Sequence, residues 1–252
     1  MSGHSKWASI KHKKAAIDAK RGQLFTKLIK ELTAAARSGG GNTDTNIRLR
    51  TAIQKAKESN MPSDNIDKAV KRGTGELPGI TYEESSYEGY GPGGIALFIE
   101  VVTDNKNRTT AELRNLMSKK GANMASAGSV SFLFQKKGYI TIEKNVVEED
   151  KLMPIVLDAG AEDLQSDDKI YEVTMQTVDL EKVKKALSDN KIPVVSAEPT
   201  MLPTTTIKIN DKATANSILS LMDSLEEHED VQHVYANFDI PDELIETEPE
   251  AE

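Results

Sequence analysis

The sequence predicts a multidomain chain of α and α+β type: an N-terminal small helical domain, then two ferredoxin-like βαββαβ modules, one inserted in the other. Three observations lead there. Up to Gly73 the apolar residues recur only at helical spacing. From Ile95 onward, strand-like and helix-like segments alternate. Finally, a complete β-α-β-β-α-β set between Tyr139 and Glu198 is flanked by two β-α-β halves that give the same order when joined.

Ser9 to Arg21 reads as a basic helix with Gly22 as a break, and Gln23 to Ser38 as a second helix. Leu24, Leu28, Ile29, Leu32 and Ala36 recur on one face of the second, and Gly39-Gly40-Gly41 stops it. A third helix spans about Thr45 to Ser59, burying Ile47, Ala52, Ile53 and Ala56. Pro62, at a helix-start position, opens a fourth that carries Ile66, Ala69 and Val70. Thr74 to Gly94 is punctuated by glycine and proline and reads as a linker. Its Gly89-Tyr90-Gly91-Pro92-Gly93-Gly94 superficially suggests a phosphate loop, but such loops follow a strand and open a helix, and this one precedes a strand; it reads as a turn.

The outer module is expected from strand Ile95–Val102, helix Thr109–Lys120, strand Ser129–Phe134, strand Thr205–Ile209, helix Ala213–Leu225 and strand Val231–Phe238. The inner one is expected from strand Tyr139–Ile142, helix Glu148–Ala159, strands Glu162–Gln165 and Ile170–Met175, helix Leu180–Asn190 and strand Pro193–Glu198. The domain boundaries follow: 1–75 helical, 76–136 with 203–240 for the outer module, 137–202 for the inner, and 241–252 as a disordered acidic tail.

The charge is unevenly spread. The whole chain carries −8, but residues 1–72 hold 16 Lys+Arg against 6 Asp+Glu, a net of +10, so the remainder carries −18. Such asymmetry points to nucleic acid, and it makes any contact directional, because the acidic part is repelled. The chain has no Cys, which removes disulfides, thiolate metal sites and cysteine nucleophiles and fits a reducing compartment. No apolar run reaches the length of a membrane span, and the N-terminus lacks a signal-peptide core. A soluble intracellular protein is expected.

The densest cationic stretch is the N-terminus, where Lys6, Lys11, Lys13, Lys14, Lys20 and Arg21 face a single acid, Asp18. Trp7, the only tryptophan, lies among them with His4 and His12. Lysines neutralise phosphates and aromatic rings lie on base faces, so this stretch is the candidate nucleic-acid contact; the bland alternative is a solvated end with Trp7 as a core anchor. The candidate residues are Lys6, Trp7, Lys11, His12, Lys13, Lys14, Lys20, Arg21 and Lys27.

Enzymatic chemistry finds little support. His228 and His233 share neither a helix face nor a strand face and have no Cys or third His beside them, so no metal is expected. Thr103 to Thr109 is polar, but a helix cap by Asn107 or Asp104 explains most of it. No nucleophile-elbow, Walker-type or His-Glu-x-x-His pattern occurs. No catalytic residue, cofactor or small-molecule substrate is expected. Gly121 to Gly128 contains no charged residue although 29% of the chain is charged. It reads as a long connector in which Asn123, Met124 and Ser126 form a partner-contact loop, the alternative being a turn with Met124 folded back onto the sheet.

Gly3-His4-Ser5-Lys6-Trp7, Lys13-Lys14-Ala15-Ala16, Asp18-Ala19-Lys20-Arg21-Gly22, Phe25-Thr26-Lys27 and Tyr87-Glu88-Gly89-Tyr90-Gly91-Pro92-Gly93-Gly94 together resemble the YebC/PmpR proteins and their mitochondrial relative, the translational activator of cytochrome c oxidase. The resemblance spans Met1 to about Ile240. It implies a cytoplasmic protein with a helical N-terminal domain and two α/β domains, and a DNA-binding regulator of transcription. It also implies an alternative: a ribosome-associated factor, touching ribosomal RNA or tRNA, that assists translation through difficult stretches such as proline runs. The residues separate these only in part. Base readout favours Arg and Asn, whereas the N-terminus is rich in Lys.

Overall fold

The computed structural model describes residues 19–166 and 169–244. Its described residues fall into two compact units, one of residues 132–206 and one of residues 19–131 with 207–244.

In the second unit the chain begins with α1 (Ala19–Gly39), α2 (Ile47–Glu58) and α3 (Ser63–Gly73). Their apolar stripes meet in one core of Leu28, Leu32, Ala35 and Ala36 with Leu49, Ala52, Ala56, Ile66 and Ala69. Small residues let the helices approach closely. A Cβ on Gly73 would run into the carbonyl oxygen of Thr33 and the methyl of Ala36. Asn46 caps α2 by accepting from the Leu49 N–H at 3.0 Å, and Pro62 stands at the start of α3. Contrary to expectation, Gly22 does not break the chain. It lies within the continuous α1, because a glycine with a helical φ only lowers helix propensity. The part of the expected basic helix before Ala19 lies outside the described residues.

The sheet of this unit has the order β3-β1-β2-β9, all antiparallel, from β1 (Glu83–Tyr90), β2 (Ala96–Thr103), β3 (Asn123–Ala125) and β9 (Val231–Ala236). Helices α4 (Lys106–Lys119) and α7 (Lys212–Glu227) supply Leu113, Met117, Ile218, Leu221 and Leu225 to a core with Leu97, Ile99 and Val234. Three expectations are corrected here. The linker was expected to run on to Gly94, yet Glu83–Tyr90 is a strand between β2 and β3. It occupies the slot expected for Thr205–Ile209. That later segment keeps only β8 (Ile207–Lys208), paired in parallel with β10 (Phe238–Asp239). Of the strand expected over Ser129–Phe134, only Phe134 is extended; Val130, Phe132 and Phe134 alternate, but Ser131–Leu133 is a 3-10 turn and Phe132 is 72% exposed. Of the turn expected over Gly89 to Gly94, Gly89 and Tyr90 end β1, and Pro92–Gly94 forms the turn into β2, with Gly93 and Gly94 at positive φ.

The 132–206 unit is β4 (Phe134–Glu143), α5 (Glu149–Asp158), β5 (Ala161–Ser166), β6 (Ile170–Met175), α6 (Leu180–Asp189) and β7 (Ser196–Pro203). Its antiparallel order β5-β6-β4-β7 is that of a ferredoxin-like sheet. Ile140, Ile142 and Val173 meet Leu152, Val156, Val183 and Leu187 in the core between the sheet and its two helices. Of the residues expected as a disordered acidic tail, Asp242–Leu244 forms a turn and Leu244 packs on the core of the 19–131/207–244 unit; residues 245–252 lie outside the described residues.

Candidate nucleic-acid interface

Lys6, Trp7, Lys11, His12, Lys13 and Lys14 lie outside the described residues, and Lys20 and Arg21 belong to the first turn of α1. Lys27 is engaged elsewhere: its ammonium donates to the carbonyl oxygen of Glu226, at the end of α7. Lys30, one helical turn on and nearly buried, is engaged in the same way. Its Nζ lies 2.5 Å from Oδ1 of Asp230 and donates to the Glu229 carbonyl at 3.1 Å.

Asp230 is fully buried. Its other oxygen accepts from Thr109 Oγ1 at 2.7 Å, Arg108 Nη2 at 2.9 Å and Thr103 Oγ1 at 3.2 Å. Burial works against the charged form, but the donors led by Lys30 outweigh it and hold this carboxyl well below the usual carboxylate range. Asp230 in turn keeps Arg108 charged well above the usual guanidinium range, against the cost of burial. The node thus ties α1 to the α7–β9 turn, against whose sheet α1 packs at β2 and β9.

The polar run after β2 serves this node too. The cap of α4 is Asn105, accepting from the Arg108 N–H at 3.1 Å, and not Asn107 or Asp104; Asp104 pairs with Arg108 at 2.9 Å. Glu112, His228 and Asp230 lie close enough to suggest a metal site. The ligand atoms are committed, however. Both Asp230 oxygens bind cations, and His228 accepts the Asp230 N–H on Nδ1 and faces Glu112 with Nε2 at 3.1 Å. His233 sits on β9, stacked on Tyr235 at 5.9 Å.

Exposed cations of the N-terminal helices include Arg37 of α1 and Arg50 of α2, which donate to the carbonyl oxygens of Tyr82 and Thr43, and four more on α2 and α3. Lys57, Lys68, Lys71 and Arg72 are exposed and pair with no carboxylate among the described residues, whereas Arg48 is held by Glu31 at 2.7 Å and by Glu84. Lys68, Lys71 and Arg72 follow i, i+3, i+4 spacing and so share one face of α3. Sequence reasoning concentrated on the N-terminal run and passed over this face; the spacing was the signal that marks it. The bland account of Lys71 and Arg72 is that they complement the negative end of the α3 dipole.

The uncharged segment after α4 is no free loop. Asn123–Ala125 is the edge strand β3, paired with Glu88–Tyr90. Ala122 is buried and Met124 packs on the sheet core, while Asn123 and Ser126 stay exposed. Gly89 makes this pairing possible, since any Cβ there would meet Met117 and the Asn123 carbonyl. The buried carboxylate of Glu88 then collects three N–H groups, from Gly128 at 2.8 Å, Val130 at 2.6 Å and Ser131 at 2.9 Å. These bonds outweigh the cost of burial and hold its carboxyl below the usual carboxylate range.

Two family models match the chain: the TACO1/YebC protein N-terminal domain over residues 5–76, and the TACO1/YebC second and third domain over residues 82–238. A protein of Natranaerobius thermophilus called "Probable transcriptional regulatory protein" is 52% identical over 250 residues, covering 98% of this chain and all of that one. One of the same description from Desulfosudis oleivorans is 54% identical over 242 residues, covering 96% and 98% of the two chains. A crystal structure of a conserved hypothetical protein from Aquifex aeolicus superposes with a TM-score of 0.85 at 46% identity, over 96% of this chain and all of that one. No helix among the described residues is long and apolar enough to cross a membrane.

Proposed function

The chain belongs to the TACO1/YebC family, and from that premise we propose that it is a nucleic-acid-binding regulator of transcription that contacts DNA through its basic N-terminal third. The observation that carries this reading is the net of +10 on residues 1–72, with Lys57, Lys68, Lys71 and Arg72 turned to solvent, in a chain of net charge −8. The names borne by the relatives agree with it.

In this reading Lys6, Lys11, His12, Lys13, Lys14, Lys20 and Arg21 meet phosphates, and Trp7 lies on a base or against the sugar edge. The lysine-rich character makes the interaction mostly one of counterion release, which positions the protein without reading sequence. Lys27 holds the fold and adds nothing to the interface. At the edge strand β3, a partner contact runs through Asn123 and Ser126 and not through Met124. No cofactor, catalytic group or small-molecule substrate enters the proposal.

A sucrose-gradient profile of the endogenous protein, with and without DNase and RNase, tests it. The proposal expects sedimentation with chromosomal DNA that is released by DNase alone. Co-sedimentation with ribosomes that survives DNase overturns it in favour of a translation factor.

A further inference from the structure

The face of the β5-β6-β4-β7 sheet opposite α5 and α6 carries a cleft of about 360 Å³ that nothing above uses. Strand alternation places Lys137 and Tyr139 of β4 on this face together with Glu172 and Thr174 of β6, since Tyr139 pairs with Thr174 and Thr141 with Glu172. Gln165 of β5 stands opposite Glu172. Glu172 lines the cleft, is only 4% exposed, and its Oε1 has no hydrogen-bond partner among the described residues. Thr200, opposite Lys137 in the register, carries a second buried oxygen without a partner among the described residues. A buried acceptor left unpaired is costly, and such groups in folded proteins call for an explanation.

The rest of the lining indicates what would satisfy it. The carboxamides of Gln135 and Gln165 and the hydroxyls of Thr174, Thr204 and Thr206 add acceptors around Glu172. The one cation in the lining, Lys137, is neutralised by Glu162 at 2.7 Å. Residues 132–206 hold 9 Lys, no Arg and 14 Asp+Glu, a net of −5, so a phosphate-bearing ligand is disfavoured. A planar cation with several N–H donors meets these needs, because a guanidinium has five donors and no acceptor and forks onto a carboxylate. We infer that this cleft is a binding site for an arginine side chain presented by a protein partner, with Glu172 as its acceptor. This site is independent of the nucleic-acid surface on the N-terminal helices.

The test is a titration of the 15N-labelled full-length protein with N-acetyl-arginine N-methylamide, followed by amide shifts, with the neutral citrulline analogue and a single-stranded oligonucleotide as parallel probes. The inference expects arginine-dependent shifts at Gln165, Thr174, Thr204 and Thr206, an affinity at least about ten-fold weaker in Glu172→Gln, and no response to citrulline. Thr174→Val, which keeps the carboxyl, is expected to weaken binding to a smaller degree, and it serves alone if Glu172→Gln does not fold. Equal binding by the Gln variant or by citrulline, absence of cleft shifts at tens of millimolar arginine probe, or saturation of the same amides by the oligonucleotide in place of arginine each overturns it.

Discussion

Replacing Asp230 by Ala is expected to destabilise the 19–131/207–244 unit by about 3–5 kcal/mol, the range for breaking a buried ion pair by removing one partner. The structure puts Asp230 in that range. Its side chain is completely buried, and Lys30, nearly buried itself, loses the one carboxylate it pairs with among the described residues, while Thr103, Thr109 and Arg108 each lose an acceptor. At about 2–4 °C of melting temperature per kcal/mol for a chain of this size, the shift is roughly 6–20 °C. Thermal melts by circular dichroism, with urea titrations for the free energy, measure it. The pH dependence gives a second, signed reading. A carboxyl depressed in the folded state contributes its full stability above the ordinary value of about 4 and loses it as pH falls from there toward the folded value. Wild type is therefore expected to lose more stability than Asp230→Asn between about pH 4 and pH 2. A loss below about 1 kcal/mol in Asp230→Ala, or parallel acid curves for wild type and Asp230→Asn, would refute the assignment of this node as the tie between α1 and the α7–β9 turn.

Three further outcomes are expected. Protease cleavage between Gly73 and Thr81, an exposed stretch, should leave the two fragments eluting together from a sizing column in wild type and apart in Asp230→Ala; separation in both means that Lys27 and Lys30 do not hold α1 in place. Glu88→Gln should cost about 1–3 kcal/mol and speed amide exchange at Gly128, Val130 and Ser131, because a carboxamide offers one acceptor oxygen where three N–H groups converge on two; unchanged exchange at those amides contradicts this. Replacing Ala122 to Ala127 with Gly and Ser should lower the melting temperature, since it removes buried Ala122 and the packed Met124, and a melt equal to wild type would return this segment to the status of a free connector.

The inner module was legible because apolar residues alternate in β4 (Ile140, Ile142) and β6 (Tyr171, Val173, Met175) and recur at helical spacing in α5 and α6; its last strand, without such alternation, was expected at Pro193–Glu198 and lies at Ser196–Pro203. The outer sheet was less so, for a physical reason. The sequence of β1, Glu-Glu-Ser-Ser-Tyr-Glu-Gly-Tyr, is polar because its one buried side chain, Glu88, serves as an acceptor for backbone N–H groups. The alternation of Val130, Phe132 and Phe134 misled in the opposite sense, since the same acceptor draws that stretch into a turn. For the site, excess positive charge is visible in any count, but whether a lysine is available is not. Lys27 and Lys30 look like their neighbours until partners about 200 residues away in the chain occupy them. The same holds for Glu172, which in sequence is one more acid in a strand.

The central claim, a DNA contact made by the basic N-terminal third, is tested most directly by the salt dependence of duplex binding in two charge-reversal variants. One changes Lys11, Lys13 and Lys14 to Glu, the other Lys68, Lys71 and Arg72 to Glu. Each lost phosphate contact reduces the slope of log affinity against log salt by about 0.9. The account predicts that the first variant flattens the slope by roughly 3 units and the second by a smaller amount, with both melting as wild type. Wild-type slopes and affinities in both variants would contradict it.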